Sequence, residues 1–291
     1  MLKVCRRSQI VLALAACLSL AASAQQYDIV INNGRVMDPE TGLDAIRNVA
    51  IQDKKIVAIT TGALQGKLVI DATGLVVAPG FIDLHSHGQD AENYRYKAMD
   101  GVTTALELER GVFPVAPWYA ERAGKAVINY GASSGHIPVV MNVLHDTGTF
   151  LPRDYAVSDT ATPAQQVEIL AELEQGLREG GIGIGMGLAY TPTQSPANVL
   201  RVFELAAKWK EPIFVHMRTA GGLTPGVVDS LQEMIADAAI TGAAVHIVHI
   251  NSMSNRLTPL TLEMIQGAQA RGLDVTTEAY PYIAGATRLE S

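Results

Sequence analysis

The residue types best suited to chemistry begin in the run Gly80-Phe81-Ile82-Asp83-Leu84-His85-Ser86-His87. Side chains alternate along a strand, so His85 and His87, two apart, point the same way. Two imidazoles on one face can chelate Zn²⁺ or a similar divalent ion. A lone His-x-His is a weak motif, and the other histidines decide its meaning. His216 closes one apolar run and His249 another. If those runs are parallel strands of one barrel, four imidazoles meet at the mouth formed by strand C-terminal ends, where barrels keep their active sites.

The elements that must position these residues follow a strand–loop–helix rhythm. Strand-like apolar runs occupy 81–85, 102–109, 137–143, 182–188, 213–217, 244–250 and 273–280. Between them, 165–179, 199–210, 227–239 and 260–270 carry apolar residues at helical spacing. Pro163 and Pro196 suit first helical turns, and Gly180-Gly181 suits a stop. Apolar strands separated by helices imply a parallel sheet buried on both faces. No glycine-rich nucleotide turn follows any strand, which argues against an open doubly wound sheet. The expected fold class is therefore α/β, a (β/α)₈ TIM-like barrel that is incomplete, with about seven strands present, where a full barrel commonly takes about 250 residues. Residues 25–78 read as a small β domain of hairpins, with a turn at Asn32-Asn33-Gly34, and 79–291 as the barrel. The eighth strand is expected beyond Ser291.

The first 24 residues stand apart. Lys3, Arg6 and Arg7 precede an apolar stretch, and Ala22-Ser23-Ala24 fits a cleavage site, the pattern of a secretory signal peptide. About 20 apolar residues are needed to span a bilayer, and this stretch is shorter. The expectation is an exported protein, periplasmic or secreted, with no membrane association after cleavage. A lipoprotein tethered through Cys17 is the alternative. Removing the leader's three basic residues takes the formal net charge from −7 to −10, which disfavours a nucleic-acid partner. Both cysteines, Cys5 and Cys17, lie in the leader, so neither disulfides nor thiolate ligands are expected after it.

With these residues in view the chain resembles the amidohydrolase superfamily, and within it the N-acyl-D-amino-acid deacylases. Beyond the histidines, the similar stretches are Gly101-Val102-Thr103-Thr104, Gly187-Leu188-Ala189-Tyr190-Thr191-Pro192, His216-Met217-Arg218 and Tyr280-Pro281-Tyr282-Ile283-Ala284-Gly285. The resemblance implies a zinc-dependent hydrolase of linear amide bonds with one or two divalent ions. Its substrate would be a small N-acylated amino acid or small peptide. His216, His249 and a strand-two carboxylate would hold the activating ion, leaving His85 and His87 for a second, weaker one. Such an ion lowers the pKa of its water from 15.7 toward 7.

The departures matter as much. No lysine lies between Gly181 and Tyr190 to bridge two metals, and no cysteine follows strand two. Strand two instead ends Leu106-Glu107-Leu108-Glu109-Arg110, and Glu109, nearer the strand end, is the preferred ligand with Glu107 in reserve. Asn251 stands where the family has a lysine, and Ala286 where it tends to have a serine. Tyr190, Arg218, Asn251, Tyr280, Tyr282 and His145 are the candidates for substrate contact, and His136 is expected at the opposite, stabilising end of strand three. The aspartate that moves the proton in this family belongs to strand eight and is expected beyond Ser291. A cyclic amidohydrolase or deaminase of the same superfamily, and an inactive metal-binding fragment, are the other readings.

Overall fold

The computed structural model describes residues 26–222 and 224–284; the segment expected as a signal peptide, Gly285 and Ala286 lie outside them. The chain divides into two compact units, Met1–Pro79 and Gly80–Ser291.

In the first unit, β1 (Gln26–Asp38), β2 (Leu43–Gln52), β3 (Lys55–Thr60), β4 (Gln65–Asp71) and β5 (Val76–Val77) form one sheet. The order is β3-β2-β1-β4, with β5 also paired to β1. The turn expected at Asn32-Asn33-Gly34 is instead a bulge inside β1, between Ile31 and Gly34 in its pairing with β2. Asn33 takes a left-handed φ of 63° there, so the strand kinks and continues.

The second unit carries the histidines. Its strands are β6 (Phe81–Asp83), β7 (Val102–Val112), β8 (Asn129–Gly135), β9 (Ile184–Gly187), β10 (Ile213–His216), β11 (Val245–Ile247) and β12 (Val275–Thr277). The helices are α1 (Ala91–Met99), α2 (Val115–Arg122), α3 (His136–Val143), α4 (Tyr155–Ser158), α5 (Pro163–Arg178), α6 (Pro196–Trp209), α7 (Val227–Thr241), α8 (Ile250–Ser254) and α9 (Thr258–Gln269). The seven strands pair in sequence order, β6 to β12, and the ladders in regular register are parallel. Sequential order without a switch point is the winding of a β/α barrel, not of a doubly wound sheet.

Helix ends follow their sequence signals. Thr162 and Gln165 close a capping box that spans Pro163, Ser195 caps α6 ahead of Pro196, and Gly242 ends α7 at φ 76°. The core lies between strands and helices. Ile184 and Met186 of β9 and Ile213 and Val215 of β10 pack with Leu173 of α5, Phe203 of α6 and Leu231 of α7. All seven are 0% exposed, each worth about 1.5–3 kcal/mol of burial.

The third strand is a correction. The run 137–143, expected as strand, is helix α3, and the strand is Asn129–Gly135. Six of the seven residues from Ile137 to Val143 are buried, so the helix is apolar nearly all round and shows no amphipathic period to distinguish it from a strand. The true strand reads Asn-Tyr-Gly-Ala-Ser-Ser-Gly, whose last five residues are small and leave no apolar alternation. His136 therefore sits at the C-terminal end of β8, the same end as the other histidines, and not at the opposite one.

Asp237 of α7 is 8% exposed, with Oδ2 buried and without a hydrogen-bond partner among the described residues. Burial, reinforced by the Glu233 charge and opposed by Arg218, raises its carboxyl to about 6. A folded value above the unfolded one means the neutral acid contributes stability fully below pH about 4, and that contribution is lost as pH rises through about 6. Asp237→Asn should flatten that fall in chemical denaturation and exceed the wild type by about 1–3 kcal/mol at pH 7.5. Parallel pH profiles for the two proteins would rule out Asp237 as the source.

Candidate metal centre

Strand β7 runs past the regular ladder. Its pairing with β8 shifts between Glu107 and Val112, and Gly111 sits at φ 64° with the Cα of Gly135 where a Cβ would be 2.5 Å away. The bulged end brings Glu107 and Glu109 to the barrel mouth, 5% and 4% exposed, which rules out solvated loop charges. Room for it comes from β9, whose Ile184 and Met186 join the core while Gly185 lies against β7. A Cβ on Gly185 would stand 2.2 Å from the carbonyl of Leu108 and 2.7 Å from that of Glu109.

Glu109 is the hub. Its Oε2 lies 3.0 Å from Nε2 of His85 and 3.1 Å from Nε2 of His87. Its Oε1 lies 2.5 Å from Nδ1 of His216 and 3.3 Å from Nε2 of His249. One oxygen thus serves the strand-one pair and the other the pair from β10 and β11. Burial works against the Glu109 charge, but hydrogen bonds from His216, His249, His85 and His87 hold it ionised well below the usual carboxylate range. Burial also disfavours the imidazoliums of His85 and His87, and the carboxylates outweigh it. Glu109 and Glu278 raise His85 to about 10, and Glu107 and Glu109 raise His87 to about 9.

The donor set fits a divalent ion. Ligand atoms about 2.0–2.1 Å from a tetrahedral ion stand roughly 3.3 Å apart. Nδ1 of His216 and Nε2 of His249 are 3.1 Å apart, and Nε2 of His249 is 3.3 Å from Glu109 Oε1. His85, Glu109 and His249 also offer ligand atoms within 4.8 Å of one another. His249 is held at φ 33°, a left-handed conformation costing about 1–3 kcal/mol that the surrounding hydrogen bonds must maintain. Ile250 N–H to the carbonyl of Glu278 is one of them, at 3.0 Å.

The centre opens into a cavity of about 1620 Å³ whose wall includes Tyr190, Tyr280 and Tyr282. Tyr190 meets the His216 ring at 4.9 Å. Three other expected contacts fall elsewhere. Arg218 is turned to the half-buried carboxylate of Glu233 in α7 at 2.8 Å and to the carbonyl of Pro192. Asn251 donates to the Tyr280 carbonyl at 3.2 Å, bracing that wall from behind. His145 is exposed on the loop after α3 and does not line the cavity. His136 is buried, and burial with the nearby Arg218 charge lowers it to about 4, so it is neutral at pH 7.

Several residues escaped sequence reasoning. Glu278, one residue past β12, accepts from Nδ1 of His85 at 2.7 Å, and His246 lies 3.4 Å from its other oxygen. Its signal was available, since it ends a strand as the histidines do. Phe150 meets His87 edge-on at 5.8 Å, with the Arg110 guanidinium 4.3 Å from its ring centre and Arg110 Nε donating to its carbonyl at 2.7 Å. That loop is tied by Asp146, which accepts from the backbone of Gly148, Arg153, Asp154 and Ala156. No periodicity announces such a loop.

Residues 68–180 match the family model described as "Amidohydrolase family". An N-acyl-D-glutamate deacylase of Alcaligenes xylosoxydans xylosoxydans is 26% identical over 91% of this chain and 59% of its own length. A dihydroorotase of Streptococcus pneumoniae is 28% identical over 87% of this chain and 60% of its own. The chain thus spans about three-fifths of the curated relatives it matches. Among solved structures, the N-acyl-D-glutamate deacylase of Bordetella bronchiseptica, complexed with zinc and a phosphonate inhibitor, superposes with a TM-score of 0.74. It is 24% identical and covers 89% of this chain and 59% of that one, a likeness of fold.

Gly185→Ala should push β9 against the carbonyls of Leu108 and Glu109. The expected result is a loss of about 1–3 kcal/mol in denaturation, the usual cost of overpacking, together with weaker zinc binding in a chelator competition. A variant that binds zinc as the wild type does would show that β7 is not held by this contact.

Proposed function

We propose that the chain, similar to the amidohydrolase family over residues 68–180, forms the metal centre of a hydrolase cleaving linear amides of N-acylated D-amino acids. The observation that carries the reading is the Glu109 carboxylate, with one oxygen on the His85/His87 pair and the other on His216 and His249. In this reading Glu109 takes the place of the bridging lysine or cysteine that the sequence lacks. A divalent ion there, zinc by the preference of a nitrogen–oxygen donor set, supplies Lewis acidity and a water acidic near neutral pH.

The chain's own residues do the rest. Glu107 and Glu278 orient the strand-one imidazoles from outside. Tyr190, Tyr280 and Tyr282 give the cavity an amphipathic wall suited to an acyl chain and its amide. Phe150 and Leu151 also line it, with apolar surface close to His87. Export through the leader at residues 1–24 is part of the same proposal and places the reaction outside the cytoplasm.

Similarity to a dihydroorotase favours a second reading, hydrolysis of a cyclic amide at the same centre. Amine release by the zinc-loaded protein separates the two. Turnover of N-acetyl-D-amino acids, lost by more than about 100-fold in Glu109→Ala, is the expected result, beyond the 10–100-fold typical of an outer partner. Opening of hydantoin or dihydroorotate without cleavage of linear amides would establish the cyclic reading. Zinc binding with turnover of neither would leave a metal-binding fragment.

A further inference from the structure

The two halves of the centre are not supported equally. On the strand-one side, each imidazole has a carboxylate behind it. Nδ1 of His87 lies 2.9 Å from both oxygens of Glu107, and Nδ1 of His85 lies 2.7 Å from Oε1 of Glu278. Both rings therefore carry hydrogen on Nδ1 and turn Nε2 inward, 3.0 and 3.1 Å from the same oxygen of Glu109.

Glu278 is itself fixed. Its Oε2 lies 3.4 Å from Nε2 of His246, whose Nδ1 meets Thr276 Oγ1 at 2.8 Å. The backbone N–H of His249 also points to Oε1 at 3.4 Å. Thr276, His246, Glu278 and His85 thus form one line of contacts from β12 across β11 to the residues after β6. On the other side, Nδ1 of His249 is buried without a partner among the described residues. His216 faces Glu109 through Nδ1.

A carboxylate behind a ligating imidazole fixes the tautomer, removes the cost of orienting the ring and makes the inward nitrogen a stronger donor. We infer that the His85/His87 side of the centre takes up the first and tighter ion, with Glu278 and Glu107 as the positioning residues that make it so. This reverses the order implied by family resemblance, and it rests on the reading of Glu109 as the shared carboxylate of a metal centre.

The test is a Co²⁺ and Zn²⁺ titration of the full chain against a competing chelator, read by metal stoichiometry and by the visible bands of bound Co²⁺. The first, tightest step should persist in His216→Ala and vanish in His85→Ala. Glu278→Gln and Glu107→Gln should each weaken that step by about 10–100-fold while leaving the second step and the circular dichroism unchanged. A first step that survives His85→Ala, or that neither glutamine variant weakens, overturns the inference and leaves the metal centre standing. If the wild type binds no ion saturably, the metal-centre reading falls and the inference with it. Two separate glutamine variants keep the test valid should one of them fail to fold.

Discussion

A carboxylate 4% exposed and shared by four imidazoles is the constraint around which the barrel mouth is arranged. Burying an ionised carboxylate costs several kcal/mol unless charge and hydrogen bonds surround it. Glu109 meets that condition only if strand ends β6, β10 and β11 bring their histidines to one point. It also needs β7 to bulge, hence Gly111 at a left-handed φ and Gly185 without a side chain against the Leu108 carbonyl. Local choices that look unrelated in the sequence serve this one placement.

The same carboxylate explains the layering of charge around it. His85 and His87 are each gripped from two sides, by Glu109 within and by Glu278 or Glu107 outside. Acid, imidazole and acid alternate outward from the centre, so the Glu109 charge and the His85 and His87 rings each meet an opposite partner. Metal uptake would exchange protons on those rings for an ion, with the outer carboxylates still in place to balance the charge. The neutral, buried His136 lies outside this layering, held neutral by its burial and by Arg218.

Much of this was legible in the sequence. The His-x-His pair, His216 and His249 could be assigned to strand ends because apolar runs and helical periods alternate clearly from residue 80 onward. Glu109 could be singled out because two glutamates in an apolar strand are unusual and a cysteine was missing. The third strand was not legible: a seven-residue run ending in five small residues folds as β8, while an evenly apolar segment beside it folds as a buried helix. Arg218 and Asn251 stand at positions that the resemblance points toward substrate, yet Arg218 pairs with Glu233 and Asn251 donates to the Tyr280 carbonyl. Glu278 ends a strand as the histidines do, but its partners are 193 and 32 residues away in the chain, so the local pattern marks its position and not its role.

The most direct measurement of the central claim is a crystal structure of the zinc-loaded protein with anomalous data at the zinc edge. The account predicts zinc within about 2.0–2.2 Å of a Glu109 oxygen, with imidazole nitrogens completing its coordination. Zinc bound by other residues, with both Glu109 oxygens outside its coordination sphere, would contradict it.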